Sequence, residues 1–282
     1  MSGLLQRFLK ADIVPRLAAI LVGVPCLYFI TLRGGVFFLL LIDLIIVLGL
    51  TEFFRFMEAK GFQPSRILGY AAALAVSVHV YHGGAALTLI VTVILLMIMV
   101  REIFRPQVDR ALTNMAVTVL GVMYVGWLAS HFVLLRELPG SLGADSVLGA
   151  HLVFFAALVI WACDTFAYLV GITFGRRKLI PHISPGKTWA GAVGGLLGGA
   201  ACGLVCALTF LDFITPLSGA LLGLMSAVLG QLGDLVESLL KRDAGIKDSA
   251  QIIPGHGGIL DRVDSLLFSV PILFYYFRFV AL

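Results

Sequence analysis

Residues 34–54 read GGVFFLLLIDLIIVLGLTEFF, an apolar run interrupted by one charge, Asp43, before Glu52 closes it. A bilayer core of roughly 30 Å takes about 20 mostly apolar helical residues, so this stretch has the length and the chemistry of a membrane span. The rest of the chain shares its character. Of 282 residues, 60% are hydrophobic and 13% charged, and the mean hydropathy is +1.04. Soluble domains carry about 25% charged residues. The sequence therefore predicts an all-α, polytopic integral membrane protein. The formal net charge of +4 is modest and gives no reason to expect a nucleic-acid partner.

Nine such helices are predicted: Val14–Leu32, Gly34–Phe54, Ile67–Tyr81, Ala85–Val100, Leu112–Leu135, His151–Phe174, Thr188–Leu211, Ile214–Gly233 and Val263–Leu282. The third and fourth are short, and they are separated only because His82-Gly83-Gly84 breaks the uncharged run Ile67–Val100. The distribution of basic residues supports the count, because cytoplasmic loops collect Lys and Arg. With the N-terminus inside, every Lys and Arg except Arg33, Arg136 and Arg278 falls on the cytoplasmic side. Arg7, Lys10 and Arg16 precede the first apolar run in the manner of a signal peptide, but no small-residue cleavage site follows, so a retained first helix is expected.

Cys26, Cys163, Cys202 and Cys206 lie in apolar segments without a CxxC pair, which argues against a disulfide framework or a zinc site. The seventh span carries Gly191, Gly194, Gly195, Gly198, Gly199 and Gly203. Glycines at this spacing let helix backbones approach closely in lipid, and tight packing is a better reading than a phosphate loop. There is no sequence repeat and no low-complexity linker. Residues 1–135 are expected to form a scaffold of five spans and residues 136–282 a catalytic region of four, in one structural unit.

Charge concentrates near the C-terminus. Lys241, Arg242, Asp243, Lys247, Asp248, Asp261, Arg262 and Asp264 all fall within 24 positions. At the bilayer centre each would cost about 2.5–3.5 kcal/mol, on the order of 20 kcal/mol together, so the segment must lie in water or at the interface. Asp234, Glu237 and Lys241 share one helix face, as do Asp261 and Asp264. Clustered carboxylates suit a hard cation such as Mg²⁺. Lys241, Arg242, Lys247 and Arg262 suit a polyphosphate. Pro254-Gly255-His256-Gly257-Gly258 leaves room for backbone amides to meet an anion. The plainer alternative is a charged loop with helix-capping acids, in which His256 is structural.

A second polar patch joins the sixth and seventh spans. Asp164 lies within an apolar run, where an acid is costly and marks a functional site unless it is simply buried and hydrogen-bonded. Gly175-Arg176-Arg177-Lys178 and Ser184-Pro185-Gly186-Lys187-Thr188 follow. The Gly186-Lys187-Thr188 ending has the look of a Walker A loop, but Pro181 stands where that loop needs glycine. A basic loop entering a helix N-terminus can bind phosphate without that motif. Asp43 is expected to face protein or a wet cavity, and Glu52 to pair with Arg55.

Taken together these residues resemble the phosphatidate cytidylyltransferases, the CDP-diacylglycerol synthases. The resemblance rests on Ser238, Lys241, Arg242, Lys247 and Asp248, followed by Pro254-Gly255-His256-Gly257-Gly258, Asp261, Arg262, Asp264 and Ser265. Gly233-Asp234, Glu237, Asp164, Tyr168, Ser184-Pro185 and Lys187-Thr188 extend it upstream, so that it covers Trp161–Ser265. It implies a Mg²⁺-dependent transfer of the cytidylyl group of CTP to phosphatidic acid at the cytoplasmic face of the inner membrane. It further implies that Asp234, Lys241, Asp261 and Asp264 are catalytic, and that Asp234, Asp261 and Asp264, with Asp164 as a further candidate, hold the metal. Ser184, Lys187, Ser238, Arg242, Lys247, Asp248, His256, Gly257, Gly258 and Arg262 would contact the substrates.

Competing functions fit less well. An ether-lipid phosphate is a neighbouring substrate for the same chemistry. The DxxDG…GxxxD…D run of CDP-alcohol phosphotransferases is absent. A transporter would account for Asp43 and Asp164, but not for a carboxylate–lysine cluster beside a glycine turn. The sequence leaves a single copy and a homodimer equally open.

Overall fold

The computed structural model describes residues 25–106, 108–246 and 258–281. The described part of the first predicted span, residues 25–33, is helical and ends at Gly34, whose φ of +64° breaks the chain before the next helix. That helix, α1 (Gly35–Ala59), buries Phe38, Ile42, Ile46, Leu50 and Phe53 and turns Phe37, Leu40 and Leu44 outward. Buried residues thus recur every three or four positions, the helical period, while the apolar outer face remains for lipid. Asp43 is half-buried beside Ser77, so it faces protein as expected.

Helices α2 (Arg66–Tyr81) and α3 (Leu87–Ile103) flank the predicted break, where Gly83 and Gly84 take φ of +94° and +69°. The helix α4 (Ala111–Ser141) follows, with a π-helical turn at Val122–Trp127 in its middle. Then come α5 (Ser146–Phe174), a small antiparallel hairpin of β1 (Lys178–Ile180) and β2 (Ser184–Thr188), α6 (Trp189–Thr209), α7 (Pro216–Asp243) and α8 (Leu260–Ala281). Among the described residues, α1, α4, α5, α6, α7 and α8 are the six helices long and apolar enough to cross a membrane. The chain is therefore an all-α membrane protein, with one hairpin that the sequence reading placed as a loop.

Arg136 lies in α4 and is nearly fully buried, although it stood among the basic residues assigned to the outer side. It donates to the carbonyls of Thr31 at 2.6 Å, Leu32 at 2.8 Å and Ser146 at 2.9 Å. Those of Thr31 and Leu32 sit at a helix C-terminus, which lacks intrahelical donors and attracts cations. A Cβ on Gly34 would lie 2.4 Å from this guanidinium, so the glycine makes the approach possible.

The C-terminal half is built on a glycine seam. A Cβ on Gly203 would meet the carbonyl of Gly219 at 2.2 Å, and one on Gly223 would meet that of Gly199 at 2.2 Å. Backbone therefore packs on backbone between α6 and α7, and the glycines of the seventh predicted span serve packing. Helix α7 opens on Thr215, whose side chain accepts from Ser218 N, with Pro216 at the first helical position. It runs ten residues beyond its expected end at Gly233, carrying the charged residues Asp234, Glu237, Lys241 and Arg242 on a continuous helix. Its last residue, Asp243, pairs with Lys60 just past α1 at 2.5 Å.

Candidate functional site

The site is assembled where α7 loses its apolar character. Glu237 is 1% exposed, and its carboxylate is 2.6 Å from Lys241 Nζ one turn later. The same ammonium lies 2.7 Å from Asp261 Oδ1 in the first turn of α8. Lys241 thus bridges two helices through two carboxylates. Breaking such a pair would leave a buried charge without compensation.

A second cation–carboxylate pair stands beside it. Lys187 Nζ lies 2.7 Å from Asp234 Oδ2, and Ser238 Oγ donates to Asp234 Oδ1 at 3.3 Å. Lys187 reaches this position because it sits in β2, which pairs with β1 in the register Lys178–Thr188 and Ile180–Ser184. Thr188 ends the strand and caps α6, accepting from Gly191 N at 3.1 Å. Arg242 fixes the hairpin from the other side, donating from Nε to the Ile183 carbonyl at 3.2 Å. The predicted basic loop is therefore a hairpin tied to the end of α7 by two side chains.

Asp264 is buried one turn beyond Asp261 and accepts from its neighbour Ser265 N at 2.5 Å. The charges of Asp234, Asp164 and Lys187 all act on it. Asp164, on α5, is exposed and feels Asp234 and Lys187 in turn. Asp164, Asp234 and Asp264, from three helices, are therefore linked electrostatically, with Lys187 paired to Asp234 beside them. Glycines allow this convergence, since a Cβ on Gly233 would meet the Asp264 carbonyl at 2.5 Å and one on Gly230 would meet Ile160 Cδ1 at 2.5 Å. Ser184 is half-buried in β2, and Arg262 is exposed on the first turn of α8, which Gly258 precedes. Lys247, Asp248, His256 and Gly257 lie outside the described residues.

Among the described residues no three His, Cys, Asp or Glu side chains are placed to hold a metal ion together. Mg²⁺ does not require such a cage, because it is usually held by one or two carboxylates with water and substrate phosphates. The donor chemistry fits that mode, since Asp164, Asp234 and Asp264 supply hard oxygens in excess of the single Lys187 charge among them.

The family model described as the cytidylyltransferase family matches residues 14–280, nearly the full length. The chain belongs to the cytidylyltransferase family. It is 33% identical over 287 residues to the phosphatidate cytidylyltransferase of Synechocystis sp., covering 93% of this chain and 95% of that one. The phosphatidate cytidylyltransferase of Haemophilus influenzae is 42% identical over 144 residues, 48% of this chain and 49% of its own. That of Bacillus subtilis is 42% identical over 156 residues, 55% of each chain. These two alignments span about half of each protein.

In this family member one residue essential to the geometry escaped the sequence reading. Glu52 does not simply pair with Arg55. It is 0% exposed, and its two carboxylate oxygens accept from Ile259 N and Leu260 N, each at 2.8 Å. An acid from α1 thereby satisfies the first amides of α8, where the helix dipole favours negative charge. The partners are 207 and 208 positions apart, and the only local signal is an acid at the end of an apolar run.

Proposed function

We propose that this protein transfers the cytidylyl group of CTP to phosphatidate. An oxygen of the phosphatidate phosphate attacks the α-phosphorus of CTP, the bond to the β-phosphate breaks, and pyrophosphate leaves with the electron pair. The product, CDP-diacylglycerol, stays in the membrane. The observation that carries the reading is the paired lysine–carboxylate arrangement, Lys187–Asp234 and Lys241 between Glu237 and Asp261, in a chain that aligns along nearly its whole length with a phosphatidate cytidylyltransferase.

Two anionic substrates must meet, so their repulsion and the charge of the leaving group must be offset. Lys187, Lys241 and Arg242 supply fixed positive charge for the phosphates, and Ser184, Ser238, Lys247, Asp248, His256, Gly257, Gly258 and Arg262 are the further candidates for substrate contact. One or two of Asp234, Asp261, Asp264 and Asp164 would hold Mg²⁺, together with water and substrate phosphates. When bound there, the ion supplies Lewis-acid stabilisation of phosphate charge. The nucleophile belongs to the lipid, so no activated serine or cysteine is needed.

We further propose nine spans with a cytoplasmic N-terminus in the inner membrane, an arrangement in which the cluster would face the cytoplasm, where CTP is available. The basic-residue bias supports this orientation. The test is radiolabelled CTP incorporation by purified protein given Mg²⁺ and phosphatidate. Formation of CDP-lipid is expected, and its absence alongside a working control enzyme would overturn the reading.

A further inference from the structure

The N-terminal half contributes a polar group that the reaction described above does not use. Tyr124 lies in the π-helical turn of α4 and is 7% exposed, and its hydroxyl oxygen is buried without a hydrogen-bond partner in the structure. A buried hydroxyl left unpaired is unfavourable, and π turns within helices are frequently found at functional sites. Phenylalanine would serve packing alone at this position, so the oxygen calls for an explanation.

Its surroundings supply one. The ring is fixed edge-on between Phe53 of α1, at 6.1 Å between centroids, and Phe268 of α8, at 6.3 Å. Phe268 lies one turn beyond Asp264 on the same helix face. Burial is the largest influence on the hydroxyl, and the charges of Asp264, Glu237, Asp234 and Asp261, the carboxylates of the candidate site, add to it. A donor whose ring is fixed against Phe268, one turn from Asp264, with no acceptor of its own, is suited to an oxygen that arrives with a substrate. We infer that Tyr124 is a substrate-contacting residue, its hydroxyl donating a hydrogen bond to a phosphate oxygen bound against α7 and α8. This rests on the reading of the site as one for phosphate substrates. The phosphate is that of either the nucleotide or the lipid, and the experiment separates the two.

The test is Tyr124→Phe, which keeps the ring contacts and removes only the oxygen. Loss of one hydrogen bond to a charged group corresponds to a fall of about tenfold to a hundredfold in kcat/KM. A rise in KM for CTP with a weakened thermal shift by CTP assigns the nucleotide phosphate. A rise in KM for phosphatidate, with loss of stabilisation by phosphatidate micelles, assigns the lipid phosphate. A fall in kcat with both KM values kept assigns a contact made in the transition state. Kinetics and both thermal shifts within twofold of wild type would overturn the inference. So would an activity loss that merely tracks a lowered melting temperature. If wild-type protein forms no CDP-lipid, the function proposed above fails, and the thermal shift by CTP, compared between wild type and Tyr124→Phe, still judges Tyr124.

Discussion

Glu52→Ala should disable the site from a distance. The substitution leaves the amides of Ile259 and Leu260 without acceptors at the buried start of α8. Loss of a helix N-cap costs about 0.5–2 kcal/mol, and each hydrogen bond to a charged group is worth about 1.5–3 kcal/mol. With two such bonds lost, and partly replaced by water as the turn frays, a local cost of about 3–5 kcal/mol follows. The first turn of α8 carries Asp261, and the second begins at Asp264. A displacement of about 1 Å in catalytic groups can cost a hundredfold in rate, so turnover should fall by at least that factor while the remaining helices stay folded. Glu52→Gln keeps one acceptor but sets an amide NH₂ against the other backbone N–H, and should fall between the two. The assay is CDP-lipid formation across a Mg²⁺ titration, paired with thermal unfolding. A positioning role predicts that both variants need more Mg²⁺ for half-maximal activity, an effect that simple loss of folded protein would not produce. Glu52→Ala with near wild-type turnover and unchanged Mg²⁺ dependence would refute the reasoning.

Three further outcomes are expected. Lys187→Gln removes a half-buried pair, which should cost less than about 1 kcal/mol of stability yet lower kcat/KM about a hundredfold in the same assay. Asp261→Asn should abolish turnover with the protein still folded by size-exclusion chromatography, and a variant of near-normal activity would remove Asp261 from the metal set. Gly223→Ala puts a methyl group 2.2 Å from the Gly199 carbonyl, so α6 and α7 must separate, and the yield of folded protein in detergent should drop sharply.

The sequence exposes the features governed by local composition. The apolar runs of α1, α5 and α6 are visible because lipid demands uninterrupted hydrophobicity, and the turn at Gly83-Gly84 because only glycine takes those backbone angles cheaply. Asp234, Lys241, Asp261 and Lys187 stand out because charge beside a membrane needs a reason. Hydropathy ends α7 at Gly233, yet the helix continues to Asp243, since one-turn pairs such as Glu237–Lys241 sustain it after apolar character is gone. The hairpin Lys178–Thr188 is hidden because its strands are too short to show an alternating pattern. Glu52 and Tyr124 are hidden for a different reason. Their roles depend on partners in other helices, and neither α1 nor α4 carries a local pattern that points to the C-terminal cluster.

The glycine seam between α6 and α7 has a bearing on how this region can be exchanged between relatives. A joint made of side chains tolerates substitution because rotamers can readjust, whereas a joint made of backbone has no moving parts. Transplanting α6 alone from another cytidylyltransferase would require main-chain register to agree at Gly199, Gly203, Gly219 and Gly223 together. Transplanting α5 through α7 as a block keeps that register intact and leaves two backbone contacts to match at its edges, Gly149 against Arg136 and Gly233 against Asp264. The three helices are therefore the natural cassette for building chimeric enzymes, with the short connection between α4 and α5 as its entry point.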